Sequence, residues 1–102
     1  MGKKLPTAFF AANDLIAFGA MRAFKEKSIN IPNDISVVGF DDLPFCSMSD
    51  PALTTISVDQ KLFGEHAVQR LLEIMNNDHK SLLTTSLDVD LVIRNSVKEI
   101  IC

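Results

Sequence analysis

The apolar positions of the chain form short runs that alternate with stretches of helical spacing, a pattern typical of a protein that combines strands and helices. Apolar runs over 7–12 and 35–40 predict two buried strands, each followed by polar residues. Between them, a helix is predicted from Asn13, its N-cap, to about Lys27, with Asp14 favourably placed in the first turn. The strand–helix–strand order predicts a right-handed crossover between two parallel strands.

The second half of the chain continues the same alternation of elements. Residues 53–58 alternate weakly and predict a third short strand, after which Asp59 is the expected N-cap of a helix over 60–76. One face of that helix is apolar, through Phe63, Ala67, Leu71 and Ile74. Apolar and polar residues then alternate within 84–96 and predict a half-exposed final strand. The predicted class is α/β, with parallel strands and flanking helices in a flavodoxin-like arrangement.

The first helix has more apolar residues than a single sheet-facing stripe requires. Its sequence allows Leu15, Ala20 and Ala23 to face the sheet, which leaves Phe18 and Met21 for another surface. Two interpretations stay open at this point. The helix is either buried on several sides within its own domain or forms part of an interface between subunits.

Composition and charge limit the classes of partner. The 102 residues carry a net charge of -3, which gives the chain no electrostatic reason to bind a polyanion. No apolar run is long enough to span a bilayer, and no membrane partner is expected. Cys46 and Cys102 make no disulfide framework, which is typical of a reducing cytoplasm. The Met1-Gly2 opening directly before a strand suggests a piece of a longer protein.

Residues with catalytic potential are scattered along the chain. Cys46, His66 and His79 lie in unrelated predicted elements, and no metal-ligand spacing is present. Asp41 and Asp42 are adjacent, but neighbouring residues on a strand point to opposite faces, so the two carboxylates should not converge. Asp42 is expected to cap the following loop. We therefore predict that the chain is not an enzyme and holds no metal or cofactor.

Polar side chains follow both strands of the predicted crossover and are suited to binding. Asn13 follows the first strand and Asp41 the second, so both are expected at the carboxyl edge of one sheet, where ligands bind in α/β proteins. An amide beside a carboxylate can pair with the hydroxyls of a sugar or the polar edge of a purine. The residues alone leave open that Asn13 only caps its helix and that Asp41 only caps its loop.

Several segments, in order and covering about residues 6–96, resemble the effector-binding domain of the LacI/GalR family of bacterial transcriptional regulators. The resemblance rests on residues 6–8, 12–14, 17–20, 31–42, 51–55 and 91–96. It implies a periplasmic-binding-protein-like lobe in which Asn13 and Asp41 contact the effector, with Gln60 as a third candidate. It also implies a dimer interface formed by Phe18, Met21, Arg22, Phe45 and Met48.

The resemblance extends to the domain plan and the partners. Residues 6–57 would belong to the C-terminal lobe, the helix within 59–80 would pack on an N-terminal lobe outside this sequence, and 84–96 would form the final strand. A cytoplasmic regulator of this kind binds a small effector, assembles as a homodimer or higher oligomer, and contacts operator DNA only through a domain that precedes this sequence. The alternative is a periplasmic sugar-binding protein of a transport system.

One departure from the family pattern has a structural consequence. Relatives usually have glycine where the first helix ends, and this chain has Ser28. If the position requires a left-handed backbone, the serine costs on the order of 1 kcal/mol.

Overall fold

The computed structural model describes residues 4–76 and 84–101, and the chain divides into two compact units. One unit takes in the chain up to Ser57 together with the segment from Asp90 onward, and the other spans Val58–Val89. In chain order the elements are β1 (Ala8–Phe10), α1 (Asp14–Glu26), β2 (Ser36–Val38), a short 3-10 helix (Pro44–Ser47), β3 (Thr55–Ser57), α2 (Gln60–Met75) and β4 (Asp90–Val92). The predicted α/β class is confirmed.

The strands of the first unit pair in the order of the chain. β1 and β2 are parallel, with Phe9 opposite Val37, as the crossover through α1 requires. The chain after β2 runs parallel to β3 through isolated bridges, one of which joins Asp41 to Ser57. β4 is antiparallel to β3, with Ile56 opposite Leu91. The parallel arrangement expected from the sequence therefore holds for the strands up to β3, and the final strand reverses.

One face of this sheet is covered by α1. The buried apolar residues are Ala11, Ala17, Met21, Val37, Cys46 and Leu53. The helix presents Asp14, Ala17 and Met21 to the sheet. Leu15, which the sequence placed against the sheet, is instead 66% exposed, so that assignment is wrong. The reason is that Asp14 is buried at the start of the helix. Residues three and seven positions later lie on the same helical face, so Ala17 and Met21 face inward and Leu15 does not.

Part of the apolar surface of the strands is exposed in the part of the chain described here. The strand register places Phe10 opposite Val38 and Ile56 opposite Leu91. Phe10, Leu91 and Ile93 are all exposed. Alternation in 84–96 therefore identified a strand correctly, although its apolar side chains do not reach the core.

The second unit contains α2, which begins where its N-cap predicts. Asp59 Oδ1 accepts a hydrogen bond of 3.0 Å from the backbone N–H of Leu62. No residue of α2 is buried, and Phe63, Leu71 and Ile74 on its apolar face are exposed. Packing of this face on another lobe stays a prediction. The end of the segment predicted over 59–80, including His79, lies outside the described residues.

α1 ends in a left-handed residue, as the comparison at Ser28 anticipated. Ser28 has φ of 59°. Its N–H donates to the carbonyl of Lys25 at 3.0 Å, and the N–H of Ile29 donates to that of Phe24 at 2.9 Å. These two bonds form a Schellman motif, in which glycine is the favoured residue at the Ser28 position.

Candidate functional site

The candidate site lies at the carboxyl edge of β1 and β2, where Asn13 and Asp41 follow neighbouring parallel strands. Asn13 is the N-cap of α1, and its Oδ1 accepts a 2.9 Å hydrogen bond from the N–H of Ile16. The capping role that the sequence left open for Asn13 is therefore real. Its amide nitrogen makes no hydrogen bond within the described residues, so two donors stay available for a ligand.

Asp41 has an unusual backbone and an unengaged carboxylate. Its φ is 119°, a conformation that costs a non-glycine residue on the order of 1–3 kcal/mol. The backbone is held there because its N–H donates to the carbonyl of Ile56 at 2.9 Å. Among residues 4–76 and 84–101, nothing forms a hydrogen bond or ion pair with the half-buried Asp41 side chain. Its carboxylate does not cap the loop, and both oxygens can accept from a ligand.

Asp42 is engaged in a different way. Its φ of 60° is also left-handed, and its carboxylate Oδ1 accepts from Nη2 of Arg94 at 2.9 Å. The expectation that Asp42 caps the following loop is corrected by this ion pair, which joins residues 52 positions apart. The two side chains of the pair are 24% and 19% exposed, respectively, so water screens them only partly. Of the two adjacent carboxylates, only that of Asp42 has a hydrogen-bond or ion-pair partner among the described residues.

Beneath this loop lies the carboxylate of Asp14, for which the sequence predicted only a place in the first turn of α1. Asp14 is fully buried. Its Oδ1 accepts from the hydroxyl of Thr55 at 2.6 Å, and its Oδ2 accepts from the N–H of Leu43 at 2.7 Å. Thr55 Oγ1 in turn accepts from the N–H of Asp42 at 3.3 Å. Asp14 therefore connects the start of α1, the loop after β2 and strand β3.

Gly39 gives the one signal in the sequence for this buried group. A Cβ at Gly39 would lie 2.2 Å from Oδ1 of Asp14 and 3.3 Å from its Cα. The position therefore excludes a side chain because the carboxylate of Asp14 passes so close to the backbone. A glycine inside a strand pattern commonly marks such an approach, although it does not identify the partner.

Cys46 is fully buried, and its chemistry is set by its surroundings. Burial raises the pKa of the Cys46 thiol from 9.0 to about 12, and a hydrogen bond to Asp14 is the second largest cause of this rise. The thiolate, which is the nucleophilic form, is therefore disfavoured at neutral pH. This argues against a nucleophilic role for the residue. Within the described ranges, no group of three or more His, Cys, Asp or Glu residues could hold a metal ion.

The remaining candidate residues are distributed over both units. Gln60 is exposed at the first position of α2, in the second unit, and its role stays a prediction. Of the five residues expected at a dimer interface, Met21 is 4% exposed and packs in the core, and its place at an interface stays a prediction. Phe18 is partly buried against the same core. Phe45 and Met48 are 63% and 72% exposed.

Arg22, the fifth of these residues, lies on the exposed side of α1. Its Nε donates to Oε1 of Glu26 at 3.3 Å in an exposed ion pair one helical turn away. Such a pair contributes little to stability, so the guanidinium can exchange partners without disturbing the fold. Arg22, Phe45 and Met48 are the interface candidates whose side chains are accessible. None of the described helices is long and apolar enough to cross a bilayer.

Comparison with known proteins matches nearly the whole chain to one family. Residues 1–97 match the family described as periplasmic binding protein-like domain. The HTH-type transcriptional repressor PurR of Haemophilus influenzae is 39% identical over 102 residues, covering 97% of this chain and 30% of that protein. The chain thus spans less than a third of the length of this relative.

Solved structures give the same result. The lac repressor dimer bound to operator and the anti-inducer ONPF superposes with a TM-score of 0.74 and 42% identity, over 91% of this chain and 32% of the repressor. A LacI family transcriptional regulator from Enterococcus faecalis with bound ribose superposes with a TM-score of 0.77 and 36% identity, over 93% of this chain and 36% of the regulator.

Proposed function

The chain belongs to the periplasmic binding protein-like domain family. We propose that it supplies effector-binding and dimerisation elements of a LacI/GalR-type transcriptional regulator. The observation that carries the proposal is the Asp41 carboxylate, which is held at the carboxyl edge of the sheet without a partner in the described chain. Ligands bind at this edge in α/β folds. Recognition of a ligand by the Asp41 carboxylate would explain why a strained residue without a partner is kept at this position.

The chemistry of the site supports a polar, uncharged or cationic small molecule. Asp41 offers only acceptors, and the amide nitrogen of Asn13 offers only donors. Vicinal hydroxyls of a sugar satisfy both groups at once, and so does the edge of a purine that carries a donor beside an acceptor. The regulator from Enterococcus faecalis that contains ribose is consistent with the first of these ligand classes.

Regulation would follow from the difference in ligand affinity between two arrangements of the intact protein. A ligand shifts such an equilibrium only as far as it binds one arrangement better than the other. Operator binding would belong to the part of the protein outside this sequence, since the net charge of -3 provides no surface for a polyanion. A cytoplasmic location follows from this role.

The alternative, a periplasmic sugar-binding protein, would use the same lobe. We favour the regulator because PurR of Haemophilus influenzae, GanR of Bacillus subtilis and the lac repressor, all regulators of transcription, share 37–42% identity with this chain over at least 91% of its length. Both functions involve ligand binding without covalent chemistry.

Self-association is part of the proposal. Phe45 and Met48 are large apolar side chains exposed on and just after the short 3-10 helix, and Arg22 is exposed on α1. Aromatic residues, Met and Arg are the types enriched at interfaces between proteins. The double variant Phe45→Ser/Met48→Ser should therefore shift sedimentation equilibrium toward the monomer. An unchanged oligomeric state would remove these residues from the interface.

The ligand site is tested with Asp41→Asn, which keeps the shape of the side chain and removes its charge. Amide chemical shifts are followed by NMR as ribose, cellobiose, adenine and guanine are added separately. A ligand that shifts residues near Asn13 and Asp41 should bind the variant about tenfold or more weakly, because a hydrogen bond to a charged group is lost. Asp90→Asn, an exposed substitution with the same change of charge, is the control. Equal affinity for both variants would exclude Asp41 from the site.

A further inference from the structure

The loop after β2 is fixed at three consecutive backbone N–H groups. Asp41 donates to the carbonyl of Ile56 at 2.9 Å, Asp42 to Oγ1 of Thr55 at 3.3 Å, and Leu43 to Oδ2 of Asp14 at 2.7 Å. Hydrogen bonds of this kind hold the position of each peptide group. Two of these bonds hold the peptide groups that flank Asp42, and the side chain of Asp42 adds a further contact that favours its left-handed conformation.

Arg94 supplies that contact and is itself held rigidly. Its backbone N–H donates to Oγ1 of Thr54 at 2.8 Å, and its Nη1 donates to the carbonyl of Leu53 at 2.8 Å. With Nη1 committed in this way, Nη2 is directed at Oδ1 of Asp42 at 2.9 Å. The guanidinium therefore bridges the start of β3 and the loop after β2, and its fixed planar geometry sets the distance between them.

We propose that Arg94 is a positioning residue of the ligand site, which holds Asp42 in its left-handed conformation and thereby sets the direction of the Asp41 carboxylate. Two successive residues with positive φ share one peptide plane, so rotation at Asp42 turns the backbone to which the Asp41 side chain is attached. The consequence for ligand affinity rests on the proposed function. The consequence for backbone geometry does not.

A purely structural role for Arg94 makes a different prediction. The ion pair between Arg94 and Asp42 could serve only to attach β4 to the remainder of the unit. Its loss should then lower the free energy of unfolding, and the backbone of Asp42 should keep its conformation in the molecules that remain folded. Ser96 provides a matched control for that case. Its hydroxyl donates to the carbonyl of Val37 at 2.6 Å and accepts from the N–H of Thr54 at 2.8 Å, and neither of these bonds involves the loop after β2. Ser96→Ala thus weakens the same tie between strands.

The experiment compares Arg94→Lys and Arg94→Gln with Ser96→Ala in the full chain. The first readout is the NMR cross-peak between the amide proton and Hα of Asp42, which is strong only when φ is positive. We expect it to weaken in both Arg94 variants, including Arg94→Lys, because an ammonium group cannot bridge two acceptors with the same geometry. It should keep its intensity in Ser96→Ala, even though that variant unfolds at lower urea concentration.

The second readout is affinity for whichever of ribose, cellobiose, adenine or guanine binds the unmodified chain. Arg94→Gln should weaken this binding about fivefold or more, and it should have no further effect in an Asp41→Asn background. If Arg94→Gln fails to fold, Arg94→Lys supplies the same readout, because its ammonium group cannot hold Leu53 and Asp42 with the same geometry. An unchanged cross-peak in the folded Arg94 variants would overturn the proposal. A changed cross-peak with no effect of Asp41→Asn on any ligand would uphold the effect of Arg94 on the loop backbone and refute the ligand site.

Discussion

Replacing Asp14 with asparagine tests whether a single buried carboxylate holds the site together. The substitution preserves the volume and outline of the side chain, so it creates no cavity. It changes one oxygen into an NH2 group and removes the charge. Asp14 is fully buried, and both of its oxygens accept hydrogen bonds, from Thr55 and from Leu43. An amide can accept only one of these two bonds.

The size of the effect follows from those contacts. If the amide oxygen keeps the bond to Leu43, its NH2 group faces the Thr55 hydroxyl, which then loses its acceptor. An unsatisfied buried donor costs about 1–3 kcal/mol, and bonds to charged groups contribute about 1.5–3 kcal/mol each. The lower desolvation cost of the neutral amide offsets part of this loss. We therefore expect Asp14→Asn to lower the free energy of unfolding by about 2–4 kcal/mol.

Urea unfolding, followed by circular dichroism, measures this free energy directly. With slopes of about 1–3 kcal/mol per molar urea for small proteins, a loss of about 2–4 kcal/mol moves the midpoint by about 0.7–4 M. Asp90→Asn is the matched control in the same compact unit, because Asp90 is exposed on β4. It should change stability by less than about 0.5 kcal/mol. If Asp14→Asn costs no more than the control, the buried hydrogen bonds do not carry the stability assigned to them.

Four further outcomes are expected. Because the pKa of Cys46 rises from 9.0 to about 12 on folding, the folded state keeps a proton that the unfolded state releases above pH 9. Urea stability should therefore fall between pH 9 and 12, by at most about 1.4 kcal/mol per pH unit, and less steeply in Cys46→Ala. Ser28→Gly should raise the melting temperature, since it relieves a left-handed serine by up to about 1 kcal/mol, and a lower melting temperature would contradict the conformational argument. Gly39→Ala should destabilise the chain by about 2 kcal/mol or more because its Cβ meets a carboxylate oxygen at 2.2 Å, whereas Gly19→Ala, with no neighbour within 4 Å, should leave stability equal or higher. Leu71→Glu on the exposed apolar face of α2 should reduce self-association in sedimentation experiments, and a chain that is monomeric before the substitution would refute that expectation.

The sequence determined what depends on residues close together in the chain. Asn13 and Asp59 start helices through contacts three residues away, and the apolar period identifies each helix and strand without reference to the remainder of the molecule. The order of the elements then fixed the parallel crossover and the sheet edge at which Asn13 and Asp41 lie. The ordered motifs resembling the LacI/GalR family identified the class of protein, which the family match supports.

Tertiary structure decided which face of α1 is buried and which carboxylates at the candidate site have hydrogen-bond partners. Asp14 bonds to a residue 41 positions away, and Asp42 to one 52 positions away. Contacts at such separation leave no periodic signature, because they form only once strands and loops have been brought together. For the same reason, the sequence placed Asp14 only in the first turn of a helix and Asp42 at a loop cap. A carboxylate buried by long-range hydrogen bonds sets which face of α1 is turned inward, and an arginine from the far end of the chain pairs with Asp42.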